Sequence, residues 1–221
     1  MKYAAQFSCV ALALLAGVAV CRAQYRVIQG DLDADGFPTT SARLCLGATG
    51  TTHCYTPPSG EYAFGLEPKT QVVAKLGGKD LILFTATFSG GGSGLLTNFA
   101  LLTTRNDELV NLLPEVQLTN QSEYRLWNLP RISGMPVLAT ADFIWDFKAM
   151  KESNYTEETH FSRHRYTINV YIFDPKNGRY LQRLSYATTK KYPGLDDGDG
   201  IRVLNAERTV ILARLQPGRS H

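Results

Sequence analysis

Cysteine is scarce in this chain of 221 residues, with four in all, and two of these (Cys9 and Cys21) fall within the first 23 positions. Histidine is equally scarce at four. Cys45, Cys54 and His53 do not complete a structural zinc site, which takes four ligands. The glycine-rich run Ser89 to Gly94 is not followed by the GK[ST] of a phosphate-binding loop. Leu95 after Gly94 likewise removes the second glycine of a GxSxG nucleophile elbow. These absences leave the run as a connection between strands and a candidate binding loop. Long apolar runs are missing too. Val10 to Val20 is too short to cross a bilayer, and no later segment is apolar enough to do so.

Charge of one sign is also lacking. The whole chain carries 23 basic and 20 acidic residues, a net charge of +3. The start of the chain has the form of an export signal: Lys2, then the apolar Val10–Val20, then Cys21-Arg22-Ala23 with small residues at the −3 and −1 places. Cleavage after Ala23 is the expectation. A lipoprotein acylated at Cys21 is the alternative, which the bulky Val20 disfavours. Without Lys2 and Arg22 the net charge falls to +1, which gives no reason to expect a nucleic acid or an anionic membrane surface as partner. The remaining 198 residues (24–221) suit one domain with a substantial core. In an oxidising compartment Cys45 and Cys54, with eight residues between them, are expected to close a disulfide.

The most informative stretch is Val27 to Leu46, which reads as strand, acidic loop, strand. Asp31, Asp33 and Asp35 alternate, and Gly36 stands at the sixth place. A hard cation such as calcium takes six to eight oxygens. Alternate carboxylates in a tight loop can converge on one point, and a glycine allows the turn that brings later donors back, here Phe37 at the seventh place and Thr39 at the ninth. The loop either binds metal or stays open in water. It is not an EF-hand, because Ala42 stands at the twelfth place and the following run is strand-like. It resembles the DxDxDG calcium loop of FG-GAP-type repeats, with Thr39 where an acidic residue is usual. The hairpin VYIFDPKNGRYLQRL (Val170 to Leu184) resembles the C-terminal hairpin of FG-GAP-like periplasmic proteins that act as lysozyme inhibitors or immunity proteins. Together the resemblance covers the loop and about Ala141 to Tyr186. It implies structural calcium, a β-rich fold and a cell-wall hydrolase as partner.

The rest of the chain alternates strand and turn. Leu81 to Phe88 puts Ile82, Phe84, Ala86 and Phe88 on one face and Leu81, Leu83, Thr85 and Thr87 on the other. Gly77-Gly78 before it predicts a hairpin with Gln71–Leu76. Further strands are expected at Glu61–Leu66, Leu95–Thr104, Glu108–Leu113, Glu123–Asn128, Val137–Phe147, Tyr166–Asp174 and Arg179–Tyr186, the last two joined by Pro175-Lys176-Asn177-Gly178. One helix is expected late, with Asn205 as N-cap, Glu207 in its first turn, a stripe of Leu204, Ile211 and Leu215, and Pro217-Gly218 ending it. The fold class is therefore mainly β: antiparallel sheets of FG-GAP-like hairpins, as a small or incomplete propeller, with one C-terminal helix.

Other chemistry-bearing residues are dispersed. Asp142 and Asp146, with Asp196, Asp197 and Asp199, form a possible second acidic site, the first pair in a degenerate echo of the acidic loop. His160 and His164 share one face if their segment is a strand, where surface histidines are expected, or form an HxxxH metal pair if it is a helix. Three functions follow. The first is an exported, non-enzymatic, calcium-stabilised domain that binds another protein through an exposed loop, 89–94 or 148–158. The second is a secreted hydrolase built on Asp142, Asp146, His160 and His164, and the third a structural domain of the cell envelope.

Overall fold

In the computed structural model the described residues are 25–47, 53–58, 62–89, 95–114, 117–120, 123–145, 162–193 and 202–216. The expected signal segment, the tip of the Gly/Ser loop and the 148–158 loop lie outside them.

Three antiparallel sheets follow one another along the chain. The first contains β1 (Tyr25–Ile28), β2 (Arg43–Leu46) and β3 (Cys54–Tyr55). The second contains β4 (Leu66–Leu76), β5 (Lys79–Phe88), β6 (Leu96–Arg105) and β7 (Glu108–Asn111), with β8 (Gln117–Asn120) pairing with the other end of β6. The third contains β9 (Tyr124–Trp127), β10 (Val137–Ile144), β11 (Arg165–Asp174) and β12 (Arg179–Ala187). A helix, α1 (Arg202–Leu215), closes the order. Among the described residues the sheets form an open stack, with neither a closed barrel nor a closed propeller ring.

The three apolar clusters define the layers. Ala42, Leu44 and Phe64 from the first sheet region pack on Ile82, Phe84, Ala86, Ala100 and Leu102 of the second. The opposite face of the second sheet, through Leu81, Leu83 and Leu101, packs on Leu138, Tyr171 and Tyr180 of the third. The far face of the third sheet (Val137, Ala139, Ala141, Ile168, Val170) receives Val203, Leu204 and Ile211 of α1. Strands β5 and β6 are thus covered on both sides, and both faces read from the alternation of Leu81–Phe88 are core faces. Burying a Leu, Ile or Phe side chain contributes about 1.5–3 kcal/mol, so this middle sheet supplies much of the stability. Two of its buried threonines keep their hydroxyls bonded: Thr87 donates to the Leu66 carbonyl (3.0 Å) and Thr103 to the Asp80 carbonyl (2.9 Å).

The hairpins form where the turn residues predict them. Gly77 and Gly78 take positive φ (57° and 81°), as does Gly178 (62°), the left-handed conformation that costs glycine little. Between β6 and β7 the same conformation falls to Asn106 and Asp107 (48° and 62°), residues that tolerate it best after glycine. In the 175–178 turn Asp174 accepts the Lys176 N–H (3.0 Å) and the Asn177 side-chain N–H (2.7 Å).

Three expectations are corrected. Residues 62–65 carry no strand, and the strand instead begins at Leu66. Strand β8 has no counterpart in the sequence reading, because its four residues show too little alternation to be recognised. Asn205 lies inside α1 and does not cap it, since the helix already begins at Arg202.

One core residue runs against its setting. Asn98 on β6 is 1 % exposed, and among the described residues neither its amide nitrogen nor its side-chain carbonyl oxygen has a hydrogen-bond partner. It pairs in register with Ala86, which places it on the first cluster's face. A buried unsatisfied polar group costs about 1–3 kcal/mol. Asn98→Val, which suits a strand and removes both polar atoms, is expected to stabilise the protein by about 1 kcal/mol. A thermal melt checks this: the midpoint rises by roughly 2–4 °C, and a fall shows that the amide is bonded in solution.

Candidate functional site

The acidic loop projects from the root formed by β1 and β2, which pair as expected (Val27 with Leu44, Ile28 with Arg43). Its base is clamped by close backbone contact. A Cβ on Gly30 would stand 1.9 Å from the Thr40 carbonyl oxygen, and one on Gly65 would stand 2.5 Å from the same atom. Only glycine permits this approach, and the Gly30 N–H donates to the Gly65 carbonyl (3.2 Å).

Within the loop Asp33 is the organising residue. Its Oδ1 accepts the N–H groups of Asp35 (3.0 Å) and Phe37 (2.8 Å), and its own N–H donates to the Phe37 carbonyl (2.9 Å). The Thr40 hydroxyl donates to Asp31 Oδ2 (3.1 Å), and the Thr39 hydroxyl to the Asp31 carbonyl (3.1 Å). All three aspartates are exposed, as are Leu32 (44 %) and Phe37 (39 %). The loop therefore presents two large apolar side chains among three carboxylates on a braced frame.

The loop offers oxygen donors of the type a hard cation takes, on Asp31, Asp33, Asp35, Phe37 and Thr39. Each bonded carbonyl or hydroxyl oxygen keeps a lone pair, and Asp33 keeps its second carboxylate oxygen outside these bonds. The spatial arrangement is looser than the residue pattern: among the described residues no three His, Cys, Asp or Glu side chains stand grouped as a metal ion needs.

Of the residues expected at a second acidic site, one falls among the described residues. Asp142 sits half-buried on β10, opposite Thr167, and accepts the Phe143 N–H (3.1 Å). Asp146, Asp196, Asp197, Asp199 and His160 lie outside the described residues. The expectation of a surface position is corrected for His164: it is fully buried, stacks on Phe143 (4.5 Å between centroids) and pairs through its backbone with Tyr192. Apolar rings on the third sheet enclose it. The expected disulfide is present between Cys45 and Cys54, which face each other across β2 and β3.

A second group of residues, the buried carboxylates Glu207 and Glu123, docks α1. Glu207 points from α1 onto the third sheet and accepts the Tyr186 hydroxyl (2.8 Å) and the Tyr192 hydroxyl. Glu123 accepts the Leu204 N–H (2.8 Å) at the start of α1, where a carboxylate also meets the positive end of the helix dipole. These residues are far apart in the chain, Glu123 and Leu204 by 81 positions, so no local spacing could reveal them. Burial first, and then the bond to Glu207, push the Tyr192 phenol up from 10.0 to about 12; the same causes raise Tyr186. Burial also raises Tyr55 to about 12.

A phenol with a raised folded-state pKa adds stability that is complete below pH 10, and this is lost as pH climbs toward about 12. Replacing Glu207 by Gln removes the carboxylate but keeps the shape. The Tyr192 ionisation, followed by NMR of its ring, is expected to move to lower pH. At neutral pH the variant is expected to lose about 2 kcal/mol of stability. An unchanged Tyr192 titration would show that Glu207 does not hold that proton.

Compared with known protein families, with curated proteins and with solved structures, the chain matches none.

Proposed function

We propose that this chain is an exported, non-enzymatic β-domain that binds another protein through the acidic loop. The observation that carries the reading is the loop itself: exposed Leu32 and Phe37 set among Asp31, Asp33 and Asp35, on a frame held by Asp33 and by the Gly30–Gly65 contact. Large apolar groups displayed at rest bury area on binding, and a braced loop loses little freedom when it docks. The carboxylates suit a partner with a basic, partly apolar cleft, and a cell-wall hydrolase is the partner that the FG-GAP-like resemblance implies. A disulfide between Cys45 and Cys54 supports an oxidising destination. Sheets built from neighbouring hairpins and stacked in chain order are consistent with an incomplete propeller-like origin.

Calcium belongs to the same proposal. Asp31, Asp33 and Asp35, with the Phe37 carbonyl and Thr39, would hold it, and a bound divalent cation would relieve the repulsion among the three carboxylates. Asp33 allows a clean separation of roles, because its carboxylate oxygen braces the loop whether or not metal binds. Asp33→Asn keeps an acceptor for the Asp35 and Phe37 N–H groups and removes the charge, whereas Asp33→Ala removes both.

The test is thermal unfolding of residues 24–221 in EDTA and in calcium. At a hundredfold excess over Kd, calcium adds about 2.7 kcal/mol, or roughly 5–10 °C for a domain of this size. The parent is expected to shift and Asp33→Asn is not, while Asp33→Ala is less stable even in EDTA. Equal shifts in parent and Asp33→Asn would remove calcium from the loop. Binding is checked separately, with a purified muramidase as partner: Phe37→Ser is expected to weaken the complex at least tenfold, and equal affinity would take the loop out of the interface.

A further inference from the structure

Next to the α1 docking contacts, the turn after β9 meets the end of α1 and the β11–β12 hairpin. A cavity of about 450 Å³ lies there, lined by Arg131, Arg183 and Arg214, by Ile132, Ile172 and Leu215, and by Asp174. A second cavity of about 380 Å³ shares Arg131 and Ile132 and continues along α1 between Leu129, Pro130 and Leu212. In a chain whose charges nearly cancel, three guanidinium groups on one cavity wall are a concentration that composition does not explain.

Two of the three arginines also have a structural role. Arg214 lies 4.1 Å from the centre of the Tyr186 ring and is the basic residue of the last helical turn; both fix its position and leave its N–H groups for an acceptor. Arg183 stands 3.9 Å from Asp174, at the outer limit of an ion pair. Asp174 is committed elsewhere: the Lys176 N–H and then the Asn177 side chain hold its carboxyl below the usual carboxylate range. Arg131 has no ion pair among the described residues and is exposed. Among the described residues, this wall therefore sets three guanidinium groups against one carboxylate, that of Asp174.

We infer that the paired cavities bind an anionic amphiphile, its carboxylate or phosphate head between Arg131, Arg183 and Arg214 and its hydrocarbon chain along Ile132, Leu129 and Leu212. Guanidinium groups suit such heads because they donate two parallel hydrogen bonds to one anion. The combined space and the mainly apolar wall with a few polar anchors fit a small-molecule site. The same head chemistry occurs on free single-chain amphiphiles and on bilayer lipids; a groove running from a charged end to an apolar end takes the free form.

The test uses the full mature chain and decyl phosphate below its micellar concentration, with decan-1-ol and inorganic phosphate as the two halves of the probe, followed by calorimetry. Decyl phosphate is expected to bind with a Kd of about 0.1 mM or tighter, at least tenfold more tightly than either half. Arg131→Ala is expected to weaken it about tenfold. Because Arg131 makes no internal ion pair, this variant is expected to keep the parent melting point. Leu212→Asp is expected to weaken decyl phosphate while leaving the weak phosphate binding unchanged. Decan-1-ol binding as tightly as decyl phosphate would overturn the role of the arginines, and inorganic phosphate binding as tightly would overturn the chain groove. Capture on phosphatidylglycerol vesicles that decyl phosphate does not compete away would assign the arginines to a membrane surface and overturn the proposal.

Discussion

The structure depends on the double burial of the middle sheet. Strands β5 and β6 bury Ile82, Phe84 and Ala86 toward the first sheet and Leu81, Leu83 and Leu101 toward the third. Neither outer layer would have a dry face to pack on without it. The short first sheet, two to four residues per strand, is too small to persist alone; the middle sheet and the disulfide hold it, and in turn it carries the acidic loop. Tyr25 adds a polar tie, donating to Asp80 at the β4–β5 hairpin (3.0 Å). The position of the loop is thus set from below by apolar packing, and its shape is set locally by Asp33.

The two candidate binding regions are built on different principles. The acidic loop is shaped locally: the hydrogen bonds within it join residues at most nine positions apart, and a more distant glycine, Gly65, clamps its base. The arginine-lined groove is assembled from three separate segments, the turn at 129–132, the β11–β12 hairpin and the last turn of α1. The first belongs to the start of the chain and the second to its end, so each can change without the other.

This difference decides what could be read from sequence. The strands and tight turns were legible wherever alternation or turn residues carried the signal, as in Leu81–Phe88 and Pro175–Gly178. The acidic loop and the cysteine pair were legible for the same reason, being local. The double burial of β5 was not, because threonine suits a solvent-facing strand position as well as a core one, yet Thr85 and Thr87 are only 5 % and 7 % exposed. The capping of α1 does not follow from its local sequence, because the acceptor at its start, Glu123, lies 81 positions away in the chain. His164 was placed on the surface since nothing in its own neighbourhood announces the rings of Phe143 and Trp145 that enclose it. Residues that act through distant partners leave no period or motif behind.

The docking of α1 has a consequence for synthesis. The helix has 14 residues, a length that is marginal for an isolated helix in water, and its buried contacts and N-terminal acceptor all come from the third sheet. It is also the last described element to leave the ribosome. Until it emerges, Val137, Ala139, Ala141, Ile168 and Val170 form an uncovered apolar sheet face. The interval between completion of β12 and arrival of α1 is therefore when the nascent chain is most prone to associate with its neighbours, and a chaperone that holds the chain through that interval protects this one face.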